Sequence, residues 1–167
     1  MIQSLSPYLL LLTMEVSEIA MSIYALIPLL PLVAAFILAV CGKKLEGKGQ
    51  LLVIPAVVFS FAVSLLAFFD VSANGAIQIQ LYQFLYVGQL TIDLGFYLDQ
   101  LTVLILLLVT GVSAIVQVYS SRYMVSDPRH SRFFALTALF TAAMTLLVMS
   151  SNLLVTFVFW ELMGICS

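Results

Sequence analysis

Ser151-Asn152-Leu153-Leu154-Val155-Thr156-Phe157-Val158-Phe159-Trp160-Glu161-Leu162-Met163-Gly164-Ile165-Cys166-Ser167 sets the class of this protein. From Leu153 onward nearly every residue is apolar, and one carboxylate, Glu161, stands in the middle. At ~1.5 Å per residue, a helix starting near Asn152 carries Glu161 about 12–14 Å along its axis. That depth is close to the midplane of a bilayer core ~30 Å thick. A carboxylate there is costly, and such acids generally face a bundle interior and belong to an ion or proton path. The plainer alternative is a carboxyl group that only hydrogen-bonds to a neighbouring helix. On this helix alone the two readings are evenly matched.

The composition agrees with a membrane chain. Of 167 residues, 63% are hydrophobic and 8% charged, where soluble domains run near a quarter charged. Cys41 and Cys166 are far apart in apolar runs, with no CxxC or Cys/His spacing. They read as small buried hydrophobes, not as a disulfide, metal or iron–sulfur framework. There is no glycine-rich nucleotide loop and no basic patch for nucleic acid.

The first twenty residues read as an N-terminal extension, short and either interfacial or poorly ordered. Ser6-Pro7 precedes Tyr8–Leu12, and Glu15 and Glu18 follow. No Lys or Arg comes before Lys43, so the positive charge that a signal peptide carries before its apolar core is missing. Residues 21–70 hold two spans, about Ile23–Cys41 and Leu51–Phe69, the second closed by Asp70. Pro28 and Pro31 interrupt the first turns of the first, a break that membrane bundles tolerate.

Residues 71–98 change period. Ile77, Ile79 and Leu81 alternate with Gln78, Gln80 and Tyr82, and alternation resumes over Leu90–Leu94 after Val87-Gly88-Gln89. Alternation around a glycine turn predicts a β-hairpin. Residues 99–167 open with Asp99, a good N-cap, and hold spans at about Gln100–Tyr119 and Phe133–Met149, then the incomplete one at Leu153. Its roughly 15 residues fall short of the ~20 that cross a bilayer, so the chain is expected to stop inside a membrane helix. The fold class is thus an all-α integral membrane bundle of about five spans, the last cut short, with a small external hairpin.

All six Lys and Arg fall in two loops, Gly42–Gly49 and Ser120–Arg132. Those loops must share a side, and the positive-inside rule makes it the cytoplasm. The hairpin and the N-terminus then lie outside.

Phe96-Tyr97-Leu98-Asp99, Val118-Tyr119-Ser120, Tyr123-Met124 with Asp127-Pro128, Arg132-Phe133-Phe134, Asn152-Leu153-Leu154 and Trp160-Glu161-Leu162 with Gly164, Cys166 and Ser167 carry a resemblance. In this order and register they resemble the N-terminal part of subunit 5 of proton-pumping NADH:quinone oxidoreductase, the antiporter-like subunit of respiratory complex I. The related photosynthetic NADH dehydrogenase-like complex has a close counterpart. The resemblance starts near Met21 and runs to the end. Gln100 departs from it, standing where the family usually has proline. The large subunits of multisubunit Na+/H+ antiporters share the tryptophan–glutamate pair, and inorganic-carbon uptake systems use related subunits; Met163–Ser167 fits the respiratory subunit better.

The resemblance implies a subunit that translocates protons in an energy-transducing membrane, such as the bacterial plasma membrane. Hydride and quinone chemistry would sit in partner membrane-complex subunits, and this chain would need no cofactor of its own. It makes Glu161 the proton carrier, paired in the family with a lysine on a later helix, whose approach favours the carboxylate. His130 is a second candidate, for proton uptake near the aqueous side, although a solvated loop histidine is the commoner case. Arg132 reads as a loop anchor to lipid or a neighbouring helix, and Asp93 and Asp99 as hairpin and cap residues. Thr102, Thr110, Ser113, Thr137, Thr141 and Thr145 either line water or bond back to their own helices. The alternatives to a respiratory subunit are an antiporter or carbon-uptake subunit, and a non-transporting assembly fragment.

Overall fold

In a computed structural model, the described backbone covers residues 7–42, 48–87, 90–124, 127 and 129–167, with side chains described outside 7–22 and 80–94. The elements run α1 (Pro7–Cys41), α2 (Gln50–Asn74), β1 (Ile77–Val87), β2 (Leu90–Leu98), α3 (Gln100–Tyr123), α4 (His130–Met149) and α5 (Leu153–Cys166). Four segments are long and apolar enough to cross a membrane: Ile23–Cys41 within α1, α2, α3 and α4. The shorter α5 follows with 14 residues. This is the helical membrane architecture that the sequence predicts.

Several boundaries differ from expectation for local reasons. The backbone of α1 is one helix from Pro7, with Pro28 and Pro31 inside it, so the expected extension is helical over most of its length. Helix α2 continues past Asp70 to Asn74, because that carboxylate is not left bare. It accepts from the Tyr24 hydroxyl on α1 and from Asn74 Nδ2 at 2.6 Å, one turn on. Gly75, at φ 90°, then ends the helix in a conformation that side chains other than glycine's rarely adopt. Helix α4 begins at His130 rather than Phe133, drawing three polar residues into its first turn.

The hairpin forms as the alternation predicts, with β1 antiparallel to β2 and Ile77 opposite Leu98. Its register shifts between Gln80 and Tyr82 and again between Gln83 and Leu85. The expected turn residues Gly88 and Gln89 lie outside the described residues. Asp99 closes the hairpin and caps α3, its Oδ1 accepting from the Thr102 amide at 2.7 Å.

The buried side chains gather at the two ends of the bundle. Near the hairpin, Tyr24, Ile27, Val71, Leu98, Leu106 and Met149 pack together. Near the other end, Leu38, Val53, Val57, Phe134 and Ala138 form a second cluster. Gly111 lets α2 and α3 approach closely, since a Cβ there would lie 3.1 Å from the Phe61 ring. At the same end as the second cluster both basic loops meet. A Cβ on Gly42 would sit 3.4 Å from Ser131 Cβ, and one on Gly49 would sit 3.7 Å from Ser131 Cα. The side shared by the basic residues, inferred from their charge, is therefore also one end of the fold.

Candidate functional site

The helix that carries Glu161 is launched from the hairpin. Ser151 donates from its amide and its hydroxyl to the Gly95 carbonyl at 3.2 and 3.0 Å, and Ser150 bridges to Phe96. Asn152 has extended backbone and caps α5, its Oδ1 accepting from the Leu154 amide at 2.9 Å. The Asn152 carbonyl then accepts from the Thr156 amide and hydroxyl, each at 2.9 Å. Two caps tied to one hairpin thus fix where α3 and α5 start. Eight residues on from Leu153, Glu161 lies about 12 Å along α5.

Glu161 is exposed on the face that α5 turns away from α3 and α4. Its neighbours one turn away, Phe157, Val158 and Ile165, are 56%, 53% and 80% exposed. Gly164 has open space where a Cβ would be. No residue of α5 is buried by the described residues. The opposite side of α5, with Met163, closes a cavity of about 490 Å³ against α3 and α4. Glu161 is not part of that lining.

The cavity borders a polar seam that the sequence reading did not assemble. Gln117 donates from Nε2 to Ser113 Oγ at 3.3 Å, and Ser113 meets Thr141 Oγ1 across the α3–α4 interface at 2.5 Å. Thr141 donates its own proton to the Thr137 carbonyl at 2.8 Å. Ser113 must therefore donate to Thr141, and all donations run one way. The seam ends at Gln117 Oε1, buried and without a partner among the described residues. It carries no titratable group, so it binds α3 to α4 and does not by itself carry protons. The signal was present in sequence as polar pairs four apart on adjacent helices, Ser113/Gln117 and Thr137/Thr141, which share a face. Thr110, Thr137 and Thr145 bond back to carbonyls of their own helices, the second of the two readings given for them.

His130 overturns the commoner expectation of a solvated loop histidine. It is the first residue of α4 and 5% exposed. Its Nε2 lies 3.3 Å from Gln50 Oε1, and its ring packs on Phe134 with centroids 4.7 Å apart. Among the described residues, Nδ1 is buried with no partner. Nothing brings His130 and Glu161 together: one stands at the basic end of α4 and the other midway along α5. Arg132 is exposed. Asp99 is held below the usual carboxylate range by hydrogen bonds from the Thr102 amide and hydroxyl, as a helix cap should be. The side chain of Asp93 lies outside the described residues. Cys41 and Cys166 are free thiols, each half-buried rather than fully buried as expected.

Comparison with known proteins shows what this chain resembles. Residues 84–134 match the family model described as NADH-ubiquinone oxidoreductase (complex I), chain 5 N-terminus. The chain is 39% identical over 146 residues to NADH-ubiquinone oxidoreductase chain 5 of Podospora anserina, covering 86% of this chain and 22% of that protein. It is 35% identical over 142 residues to NADH-quinone oxidoreductase subunit L of Mycobacterium tuberculosis, covering 83% of this chain and 22% of the relative. The chain thus spans about a fifth of the length of these relatives. Its fold is shared, at TM-score 0.67 and 20% identity, with a chain of the membrane-bound sulfane sulfur reductase, an archaeal respiratory membrane complex; the match covers 86% of this chain and 28% of that one. Motifs, helix order and these likenesses agree that the chain is similar to the N-terminal part of chain 5 (subunit L) of NADH:quinone oxidoreductase.

Proposed function

We propose that this chain forms part of a proton-translocating membrane subunit of a complex I-like NADH:quinone oxidoreductase, with electron transfer carried by other subunits. One observation carries the reading: Glu161 sits midway along the apolar α5, on a face that the described residues leave unpacked. A carboxylate in the membrane must be matched by a partner or a polar path, and the open face is where further helices would bring one. The family resemblance makes that partner a lysine on a later helix. Glu161 is the proton carrier, alternately neutral and charged as the ammonium withdraws and approaches. His130 serves proton uptake at the basic end, where its Nδ1, without a partner among the described residues, can exchange a proton once water reaches it. The basic loops face the cytoplasm and the hairpin the opposite side, in a plasma membrane or an equivalent energy-transducing membrane.

The test is the proton-to-electron ratio of the whole complex in sealed vesicles, with assembly measured on the same preparation. Glu161→Gln keeps size and hydrogen bonding but cannot titrate. It should assemble normally and lower the ratio sharply. Glu161→Asp withdraws the acid by about one bond length, and proton relays need contacts of ~2.6–3.2 Å, so partial activity is expected. His130→Gln should slow proton uptake less than Glu161→Gln does. A Glu161→Gln complex that assembles and pumps at the wild-type ratio would reduce the carboxylate to a packing group.

A further inference from the structure

A groove of about 420 Å³ runs between α1 and α4, lined by Leu32, Val33, Phe36 and Ala39 on one side and Leu136 and Leu139 on the other. Every residue in its walls is apolar. Phe36 is 72% exposed and Val33 47%, so the groove opens outward from the bundle. Both walls belong to membrane-length helices. From Leu32 to Ala39 it extends about 10 Å along α1.

The groove has a chemically distinct end. Toward the basic loops α1 and α4 converge, with Gly42 against Ser131. The next residue, Arg132, is exposed and stands one turn before Leu136 and two before Leu139 on the same face of α4. The segments Gly42–Gly49 and Ser120–Arg132 at this end together hold six basic and two acidic residues. The apolar trough thus shares a face of α4 with Arg132, which stands one turn toward the basic end of the helix.

We propose that this groove binds an anionic phospholipid, with one acyl chain between α1 and α4 and the phosphate on Arg132. Guanidinium matches phosphate oxygens with two parallel donors, while the surrounding basic excess favours a lipid with net negative charge. The site is independent of the proton reading, since none of its residues belongs to α5.

The experiment uses the complex containing the full chain, extracted in mild detergent and supplied with phosphatidylglycerol or phosphatidylcholine. Lipid retained by this subunit is counted by native mass spectrometry. Arg132→Gln should lower phosphatidylglycerol retention about fivefold, the scale of one basic residue at a membrane surface, and leave phosphatidylcholine little changed. Ala39→Phe, on an exposed wall position, should fill the groove and lower retention of both lipids. Glu161→Gln should retain phosphatidylglycerol fully, which separates failure of this site from failure of the proton path. Wild-type phosphatidylglycerol retention in Arg132→Gln, or unchanged retention of both lipids in Ala39→Phe, overturns the proposal. So does density for a helix in the groove.

Discussion

Asp99 shows how much one side chain at the membrane edge decides. It ends β2, starts α3, and satisfies the Thr102 amide that the helix leaves open. Because those hydrogen bonds favour the charged form, its acidity in the fold is greater than in the unfolded chain. The stabilisation is therefore complete above the unfolded carboxylate range, near pH 3.9. It is lost as pH falls through the lower value of the folded state. Asp99→Ala should cost about 1 kcal/mol, at the modest end for an exposed cap, and speed hydrogen exchange of the Thr102 amide at neutral pH. Asp99→Asn should keep the cap but remove its acid dependence. Equal exchange in wild type and Asp99→Ala would show that the cap contributes nothing. This role was legible in sequence because it is local: an aspartate three residues before the amide that it caps. His130 was not legible. Its neighbours in sequence are polar and basic, whereas its burial comes from Gln50, eighty residues earlier, and from the turn that places Phe134 beneath its ring.

At the scale of elements, apolar length and alternation located the helices and the hairpin, and charges misled about where they end. A reading that closes a span at the first carboxylate stops α2 at Asp70. The fold carries it on to Asn74 because Tyr24 and Asn74 supply donors. The Tyr24–Asp70 contact is also the polar tie between α1 and α2 at the hairpin end, above a packed layer of Ile27, Ala67 and Val71. A hydrogen bond to a charged group contributes on the order of 1.5–3 kcal/mol. Tyr24→Phe and Asp70→Asn should therefore each lower the thermal stability of the detergent-solubilised protein. In a double-mutant cycle the two losses should overlap, with a coupling of about 1 kcal/mol or more. Strictly additive losses would mean that each residue acts through other neighbours. The same partner-dependence hid the Gln117–Ser113–Thr141 seam. Each residue is an ordinary polar insertion in its own helix, and only the packing of α3 on α4 joins them.

For the whole molecule, the segregation of charge and the geometry give one answer from separate facts. All six basic residues lie in two segments, Gly42–Gly49 and Ser120–Arg132, that are far apart in the chain, Arg122 closing α3 and Arg132 opening α4, yet Gly42 and Gly49 both pack beside Ser131. The hairpin meets the start of α3 and the turn before α5 at the other end. Glu161 hangs from that end by a capped helix, which makes its depth a property of the hairpin's position as much as of its own sequence. The place of Glu161 midway along an apolar helix was legible, but its environment was not, because the face it occupies is not completed by the described residues. The orientation that follows can be tested with single cysteines introduced after Cys41 and Cys166 are replaced by serine. Ser72, exposed at the hairpin end, should react as Ser72→Cys with an impermeant thiol reagent added outside. Lys48→Cys should react only after the membrane is opened. Exchanging Lys43, Lys44 and Lys48 together for glutamine should weaken the preference without shifting the spans, since loop charge sets orientation while apolar length sets the helices. Labelling of Lys48→Cys in intact cells would invert the topology and place Arg132 and its groove in the opposite leaflet.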